Sequence, residues 1–550
     1  MKMWLLALSV LLSSYSYAVV DMKNANYSQS WIDMEVPGSG YDIRIQRTYN
    51  SRSLFNGIFG FGWCSDFETK MTITAEGNLK ITECGAGQEM FYSPREVSRK
   101  EVAQTISKIV QKMKAEKAVG RNEAFYKKLS DELLEQDVKR AAYARKYNVL
   151  VPIRSGTKFY ANGREVEHVV FEKTHYTRRL QDGSSQRFDT KGRLTHMYDK
   201  NGNFLKFDYS GDRMVMVTDN NSRKLNFKYY NNSKVKEVTG PNSLKAEYKY
   251  ENMEDLVYVK NGWNNVFTYK YDELHNMTQA NWPDKTSISL KYDTQKDWVI
   301  GFTDRNKCQE SYAYEMSKTN PKGHYWATVK KVCNKKVVAD NRYEFWYSQR
   351  DDGEWILTRV QSDVAGNVTD ITYDEHTGKP TAIRRNKERL AFEYYPNGLV
   401  KTKAGPNSRQ IFKYDNKLNK IAQVIVEYYD AKGKKVSTRT TTFKHDSKGN
   451  LIYAQNSDGQ KVNMTYDNKG RISSITDQAK KLVKIQYEER HGKPTVVTRP
   501  GLGTIKVKYK SNGEIERVDS KDGPQVALQV ASTFNNMLDI IAPATADIYL

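Results

Sequence analysis

Apolar and polar residues alternate along most of the chain in short runs, and each run ends in an aromatic residue and a polar turn. In Val462–Ile475 the alternation continues up to Tyr466, passes through a turn that ends at Gly470, and resumes at Ile472. A period of two places every second side chain on one face of a β-strand. The Asp-x-x-Gly segment is typical of a tight turn, in which Asp hydrogen-bonds its own backbone and Gly adopts a positive φ. The pattern therefore predicts a β-hairpin.

This hairpin recurs at a nearly constant interval. In the two most regular stretches, the aromatic residues that end the alternating runs follow one another by 20 to 22 residues. We call them the anchors, and they are Phe188, Tyr209, Tyr229, Tyr250, Tyr271, Tyr292, Tyr466, Tyr487 and Tyr509. One hairpin cannot bury its apolar face alone. We therefore expect the hairpins to stack into one long antiparallel sheet that curls to cover this face.

One inserted segment follows a helical period instead. Between Pro94 and Asn148 the apolar residues recur at helical spacing in two runs, with Gly120 and Asn122 between them as break and N-cap. The apolar positions are Val97, Val102, Ile106, Ile109, Val110 and Met113 in the first run, and Phe125, Leu129, Leu133, Val138 and Ala142 in the second. This predicts a helical hairpin that packs against the sheet, plugs its open end, or docks a partner.

A second helical pattern lies at the C-terminus. From Pro524 to Ile541, apolar residues that include Val526 and Leu538 share one helical face. An amphipathic helix here could cap the last strand, enter the interior of the curled sheet, or bind a partner. We expect capping, because the last strand of an open sheet otherwise exposes its backbone hydrogen-bonding groups.

The composition changes this picture little. The 550 residues are 38% apolar and 12% aromatic, with 37 Tyr, and this aromatic content indicates a folded chain with many thin apolar layers. The net charge of +22 is compatible with an anionic partner, such as an acidic glycan or an anionic cell surface. The favoured interpretation is that lysines occupy solvent-facing strand positions, as in Lys506-Val507-Lys508. Since no basic run stands out, there is no specific nucleic-acid signal.

The first 18 residues predict export. Lys2, the apolar run Trp4–Leu12 and small residues ending at Ala18 are typical of a secretory signal peptide, with cleavage expected after Ala18. The apolar run is too short to span a bilayer, and no other run is long enough. The mature protein is therefore expected in the periplasm, at the cell surface or in the medium, without a transmembrane segment.

The four cysteines agree with an oxidising compartment. Cys308 and Cys333 flank two alternating runs, and their midpoint falls on the predicted turn Asn320–Gly323, so they should face each other and form a disulfide. Cys64 and Cys84 flank another predicted hairpin, and their bridge would need a bulge. A metal site is the alternative, but there is no C-x-x-C and the eight His are scattered.

The repeats resemble the YD repeats of the Rhs family. The best matches are Tyr271-Asp272, Tyr373-Asp374 and Tyr466-Asp467. Residues Val36–Met71, with the blocks Arg47–Ser51 and Gly60-x-Gly62-Trp63, resemble the domain that opens many Rhs proteins. The resemblance implies a β-sheet that spirals into a hollow shell, as in polymorphic toxins, components of insecticidal toxin complexes, and teneurins. In the toxin relatives the shell encloses a C-terminal toxic domain that is released by self-cleavage.

The chain departs from that family pattern after Tyr509. The residues that follow lack the Asp-Pro-containing motif of the self-cleavage site and are too few for a typical toxic domain. The expectation is therefore a full or partial shell that encloses or presents a separate protein. The alternative is a cell-surface adhesion or carbohydrate-binding repeat protein that uses its exposed aromatic and lysine-rich face.

An enzyme is not expected. The chain has no G-x-S-x-G, no H-E-x-x-H and no phosphate-binding glycine loop, so we assign no catalytic, cofactor-binding or metal-binding residues. A glycosidase would need two carboxylates about 5–10 Å apart across a groove, and a sequence alone does not establish such a distance. The predicted organisation is a signal peptide (1–18), an Rhs-type β domain (19–93), a helical hairpin (94–148), a YD-repeat shell (149–523) and a C-terminal helix (524–550).

Overall fold

The computed structural model describes residues 19–83, 88–94, 98–116, 121–161, 164–252, 254–350, 355–386, 388–510, 513–519 and 523–545. The predicted signal peptide, Cys84, Val97 and Gly120 lie outside the described residues. The fold is mainly β, as predicted, with four α-helices in the described part of the chain.

The N-terminal domain consists of short antiparallel strands. Its strands are β1 (Val19–Asp21), β2 (Asn26–Val36), β3 (Ile43–Asn50), β4 (Asn56–Gly57), β5 (Gly60–Phe61), β6 (Trp63–Cys64), β7 (Lys70–Ile73), β8 (Leu79–Glu83) and β9 (Gln88–Tyr92). They form a four-stranded sheet in the order β1-β2-β3-β6, a β4-β5 hairpin and a β7-β8-β9 sheet. Apolar side chains of β2 and β3, such as Met34 and Ile45, are fully buried.

The inserted segment contains three helices rather than the predicted two. They are α1 (Arg99–Ala115), α2 (Glu123–Glu135) and α3 (Asp137–Lys146). Asn122 caps α2, because its side chain accepts from the amide of Phe125 at 2.9 Å. The second predicted helix is interrupted at Gln136, whose φ of −112° and ψ of 88° are not helical. This interruption shifts the helical phase, so the predicted core residue Ala142 is exposed.

The insertion packs on the N-terminal domain. Its core includes Ile109, Met113, Leu129 and Leu133, all predicted from the periodicity, together with Ala75 from the β7–β8 turn. Ion pairs add to this contact, with Arg140 Nε 2.8 Å from a carboxylate oxygen of Glu76 and Lys80 Nζ 3.1 Å from Asp137. Phe125 was also predicted in this core, but its side chain is 39% exposed.

The repeats form one antiparallel sheet of 33 strands within the described residues, and each strand pairs with the next along the chain. The first half comprises β10 (Lys158–Ala161), β11 (Arg164–Phe171), β12 (His175–Arg179), β13 (Ser185–Asp189), β14 (Leu194–Tyr198), β15 (Phe204–Ser210), β16 (Arg213–Asp219), β17 (Lys224–Tyr229), β18 (Val235–Thr239), β19 (Lys245–Glu251), β20 (Asp255–Lys260), β21 (Val266–Tyr271), β22 (Met277–Asn281), β23 (Ser287–Tyr292), β24 (Val299–Thr303), β25 (Gln309–Met316) and β26 (His324–Cys333). The second half comprises β27 (Lys336–Gln349), β28 (Trp355–Val364), β29 (Asn367–Tyr373), β30 (Pro380–Arg385), β31 (Glu388–Tyr394), β32 (Val400–Ala404), β33 (Ser408–Tyr414), β34 (Ile421–Tyr429), β35 (Lys435–His445), β36 (Leu451–Asn456), β37 (Lys461–Tyr466), β38 (Ile472–Asp477), β39 (Leu482–Tyr487), β40 (Pro494–Arg499), β41 (Gly503–Tyr509) and β42 (Ile515–Asp519).

The sheet is a spiral, because turns of distant strands meet along its edge. The side-chain amide of Asn450 donates to the side-chain oxygen of Asn201 at 2.8 Å, and Lys420 Nζ donates to the carbonyl of Asp182 at 2.9 Å. The partners in these two bonds are 249 and 238 residues apart. The first bond joins the β14–β15 turn to the β35–β36 turn, so one turn of the spiral comprises β15 to β35, which is 21 strands.

The inner face of the spiral is covered by the chain itself at both ends. The N-terminal domain fills the first part, and its residues share one core with inward side chains such as Phe207, Tyr248 and Phe302. The C-terminal helix α4 (Gly523–Thr545) lies against β35–β38, β40 and β41, with Ile540 in a core that includes Phe443. The helix therefore lies on the inner face and does not cap the sheet.

The last strand remains open as a result. Ile515 and Val518 of β42 are 59% and 54% exposed, so the expectation that α4 caps this strand is wrong. The physical reason is that the inner face of β35–β41 offers the helix more apolar area than a single edge strand can.

Candidate binding surfaces of the shell

Each hairpin that carries one of the nine anchors contains a β-bulge immediately before that anchor. The pairing register shifts between Lys270 and Tyr271, and again between Thr465 and Tyr466, at the equivalent position of each unit. A bulge bends its strand and increases the local twist. Repeated once per hairpin, it contributes to the curvature that closes the sheet into a spiral.

The anchor tyrosines tie each hairpin to the hairpin before it. The hydroxyl of Tyr271 donates to the carbonyl of Leu256 at 2.8 Å, and that carbonyl lies 15 residues earlier. The same bond, over the same separation, is made by Tyr209, Tyr229, Tyr292, Tyr466, Tyr487 and Tyr509. Tyr250 differs, since its hydroxyl reaches the carbonyl of Ile58 in the N-terminal domain at 3.4 Å. Phe188 has no hydroxyl and is fully buried.

The turn that follows an anchor has a second recurring contact that the sequence patterns did not reveal. The Oδ1 atom of Asp467 accepts from the amides of Lys469 and Arg471, and the Oδ2 atom pairs with the Arg471 side chain at 2.6 Å. The Arg471 guanidinium lies 4.8 Å from the ring centre of the next anchor, Tyr487. Asp189, Arg193 and Tyr209 repeat this arrangement. The sequence signal that could have predicted this contact is an arginine four residues after the aspartate that follows the anchor, as at Arg193 and Arg471.

A buried ion pair joins the N-terminal domain to the sheet. Arg47 and Asp33 are both fully buried, with Arg47 Nη2 2.9 Å from Asp33 Oδ1. Tyr248 of β19 donates its hydroxyl to Asp33 Oδ2 at 2.9 Å. Burial lowers the pKa of Arg47, but the adjacent Asp33 carboxylate outweighs this effect and holds that pKa well above its usual value. Arg47 therefore stays charged, and its contacts with Asp33 and the Asp33–Tyr248 hydrogen bond fix the domain inside the first turn of the spiral.

A second carboxylate, that of the half-buried residue Glu68, lies in the N-terminal domain. Glu68 accepts from the amide of Ile58 at 2.7 Å and from the amide of Ser65 at 3.1 Å. Burial raises the pKa of Glu68 from 4.5 to about 7, although these two hydrogen bonds oppose the shift. Its ionisation state therefore changes near neutral pH.

The middle of the sheet has an inner face that no other part of the described chain covers fully. The directly opposed side chains Phe345, Val360, Ile371 and Ile383 continue one face across β27 to β30. Of these, only Phe345 is buried. We call this surface the central inner face.

Two cavities lie at the boundary between the N-terminal domain and the central inner face. One has a volume of about 600 Å³ and lies between β1 and strands β25–β27, with Tyr312, Lys331 and Tyr343 in its wall. The other has a volume of about 310 Å³ and is lined by aromatic residues that include Trp298 and Tyr347. Both volumes lie within the range of about 300–1,000 Å³ that is usual for ligand pockets.

The width of the spiral limits what its interior can hold. Neighbouring strands lie about 4.8 Å apart, so a circular turn of 21 strands has a circumference of about 100 Å and a diameter of about 32 Å. Side chains from both walls occupy about 10 Å of this width. The remaining space of about 20 Å accommodates two α-helices side by side, since each is about 10 Å wide.

The predicted cysteine sites are partly described. Cys308 and Cys333 form a disulfide with an S–S distance of 2.00 Å, at the base of the β25–β26 hairpin. Cys64 is buried and disulfide-bonded, whereas its predicted partner Cys84 lies outside the described residues. In the described part of the chain, no three His, Cys, Asp or Glu side chains are grouped as metal ligands would be.

The helices give no indication of a bilayer span. Among the described residues, no helix combines the length and the apolar character that crossing a membrane requires.

Two regions of the chain match known protein families. Residues 18–90 match a domain of unknown function, DUF6531, and residues 172–327 match the Teneurin YD-shell. Curated proteins gave no match.

Several solved structures are similar at low identity. TcdB2-TccC3-TEV is 11% identical with a TM-score of 0.42, and the match covers 95% of this chain and 29% of that one. TcdB2-TccC3 without its hypervariable C-terminal region is 10% identical with the same TM-score and coverage. The Tc holotoxin pore of Photorhabdus luminescens is 10% identical with a TM-score of 0.28, covering 88% of this chain and 31% of that one. The chain thus spans about 29% of the length of the first of these structures.

Proposed function

The chain belongs to the Rhs/YD-repeat family, and on this premise we propose that it is a shell scaffold that holds a partner polypeptide against its central inner face. The observation that carries the proposal is the uneven covering of the inner face. The N-terminal domain covers the inner face of the first strands, and α4 covers that of β35–β41. Between these two regions, Val360, Ile371 and Ile383 are only half-buried. An apolar surface inside a shell is stabilised by an occupant that removes it from water.

The proposed occupant is a segment rather than a folded domain. The estimated free width of about 20 Å is enough for a helical hairpin or an extended chain. The cavities of about 600 and 310 Å³ at one end of the surface would take its bulky side chains. In this proposal the chain acts as a scaffold and not as an enzyme.

Export is part of the proposal. The Cys308–Cys333 disulfide supports folding in an oxidising compartment, in agreement with the predicted signal peptide. We place the protein in the periplasm, at the cell surface or in the medium.

Crosslinking from two adjacent residues tests the proposal. Val360 lies on the central inner face and its neighbour Gln361 on the outer face, because alternate strand residues point to opposite sides. A photoreactive amino acid is introduced at either position, and the protein is purified from its native source at low and at high salt. We expect a stoichiometric complex that survives high salt, with crosslinks to the partner from position 360 only. A bare monomer, or equal crosslinking from both positions, would overturn the proposal.

The alternative function, recognition of an anionic surface, draws support from the opposite side of the same strands. The outer face of β26–β31 carries Trp346, Arg359 and further arginines. This surface is independent of the central inner face, so either function can hold without the other.

A further inference from the structure

One arginine on the outer face is held rigidly by its neighbours. The guanidinium of Arg359 lies 4.5 Å from the ring centre of Trp346, and its Nε and Nη2 atoms each donate to Asp370 at 2.9 Å. The other face of the Trp346 ring stacks on His324, with ring centres 4.9 Å apart and an interplanar angle of 12°. The side chains of His324, Trp346, Arg359 and Asp370 therefore form a continuous row, which we call the wall, across β26 to β29.

Two further arginines next to this wall have no anionic partner among the described residues. Arg384 of β30 and Arg389 of β31 are directly opposed and both exposed. Within the described residues, neither side chain has a carboxylate oxygen within 4.0 Å, although Asp370 lies opposite Arg384 in the register. Like charges that face each other across a strand pair are destabilising. An anion between these side chains would remove that repulsion.

These side chains line a single cleft, which we call the arginine cleft. Its volume is about 310 Å³, and Thr372 and Ala382 line it together with Arg359, Asp370, Arg384 and Arg389. Three guanidinium groups and one carboxylate give it a charge of +3 − 1 = +2. A phosphate or sulfate ester carries close to two negative charges or one, respectively, with three oxygen acceptors that match the guanidinium fork.

We propose that the arginine cleft binds an oxyanion group, a phosphate or sulfate ester, presented by a ligand outside the shell. Charge complementarity carries the recognition. Stacking contributes little, because both faces of the Trp346 ring are already covered by His324 and Arg359. Nucleobases, which bind single-strand sites by stacking on free aromatic faces, are therefore not favoured.

Calorimetric titration of the full chain tests this proposal. The probes are inorganic phosphate, inorganic sulfate, a hexose monophosphate, and vesicles of phosphatidylglycerol in phosphatidylcholine, each at low and at physiological ionic strength. The test variant is Arg384→Ala with Arg389→Ala, which truncates two exposed side chains. The matched control is Lys484→Ala with Lys506→Ala, which removes the same charge from exposed positions of the same sheet.

We expect saturable one-to-one binding of the hexose monophosphate and of at least one of the two inorganic anions. The arginine double variant should weaken it at least about tenfold, and the lysine double variant should leave it unchanged. Equal weakening in both double variants, or no binding of the small anions, would overturn the proposal. Binding to vesicles alone would also overturn it, because that result would reflect the overall positive charge.

Discussion

The hydroxyl of Tyr466 donates a hydrogen bond to the carbonyl oxygen of Leu451 at 2.7 Å and so links two consecutive hairpins. The aromatic ring of Tyr466 packs against the core that contains Phe412, while its hydroxyl donates to the Leu451 carbonyl. This explains why the anchors are mostly Tyr and not Phe. Each anchor serves both the hydrophobic layer and the strand connection, which a purely apolar side chain cannot do.

Replacing Tyr466 by Phe should lower the stability of the last hairpins by about 1 kcal/mol, because it leaves the Leu451 carbonyl without this partner. The measurement is denaturant unfolding followed by circular dichroism. Tyr453→Phe is the control, since its hydroxyl donates to the exposed Gln455 side chain and not to a backbone carbonyl of the described residues. Equal stability of the two variants would contradict a linking role for the anchor hydroxyl.

Replacing Arg47 by Met should destabilise the N-terminal domain by about 3–5 kcal/mol, because it leaves the Asp33 carboxylate buried without its partner. Tryptophan fluorescence reports this transition, since Trp63 lies 4.5 Å from the Arg47 guanidinium. Adding Asp33→Asn should recover part of the loss, because a neutral amide can still accept from Tyr248. A double variant less stable than Arg47→Met would refute the importance of the buried charge.

The raised pKa of Glu68 predicts a specific dependence of stability on pH. The folded-state value of about 7 lies above the usual 4.5, so the folded state binds the proton more tightly than the unfolded state. The contribution of Glu68 is fully present below about pH 4.5 and is lost as the pH rises through about 7.

Glu68→Gln should flatten this part of the stability profile, since the amide does not titrate. Urea midpoints measured at intervals between these two pH values give the slope for each protein. Glu273→Gln is the matched control, because Glu273 is an exposed carboxylate in a turn of the sheet. The assignment fails if the Glu68→Gln slope equals that of the control.

Replacing Cys308 and Cys333 together by Ser should lower stability by about 3 kcal/mol, as expected for a bridge across a separation of 25 residues. Thermal unfolding of the double variant without reductant measures the effect. A reductant is unsuitable for this comparison, because Cys64 is also disulfide-bonded. A change below about 1 kcal/mol would show that the surrounding sheet already restrains this hairpin in the unfolded ensemble.

The fold class and the repeat could be predicted because both depend on local patterns. A period of two and a tight turn determine a hairpin whatever surrounds it, and Gly470 adopts the predicted positive φ of 84°. The Cys308–Cys333 bridge was predictable for the same reason, since both residues belong to one hairpin. The break at Gln136 was not, because α2 and α3 change direction to pack on the β7–β8 turn.

The candidate surfaces depend on longer distances along the chain. The arginine cleft draws Arg359, Asp370 and Arg384 from three strands, and only the strand register places them together. Periodicity indicates which residues share a face, but it does not determine which face turns inward or which elements cover it.

The sequence by itself determined the unit of this protein: a hairpin with an aromatic anchor, a YD turn and an alternating apolar face. The tertiary structure decided how the units curl, which strands the N-terminal domain and α4 cover, and where the inner face stays open. The physical reason is the distance along the chain over which each interaction acts. Alternation and turns act over a few residues, whereas the contact between Asn201 and Asn450 spans 249 residues and depends on the accumulated twist of 21 strands.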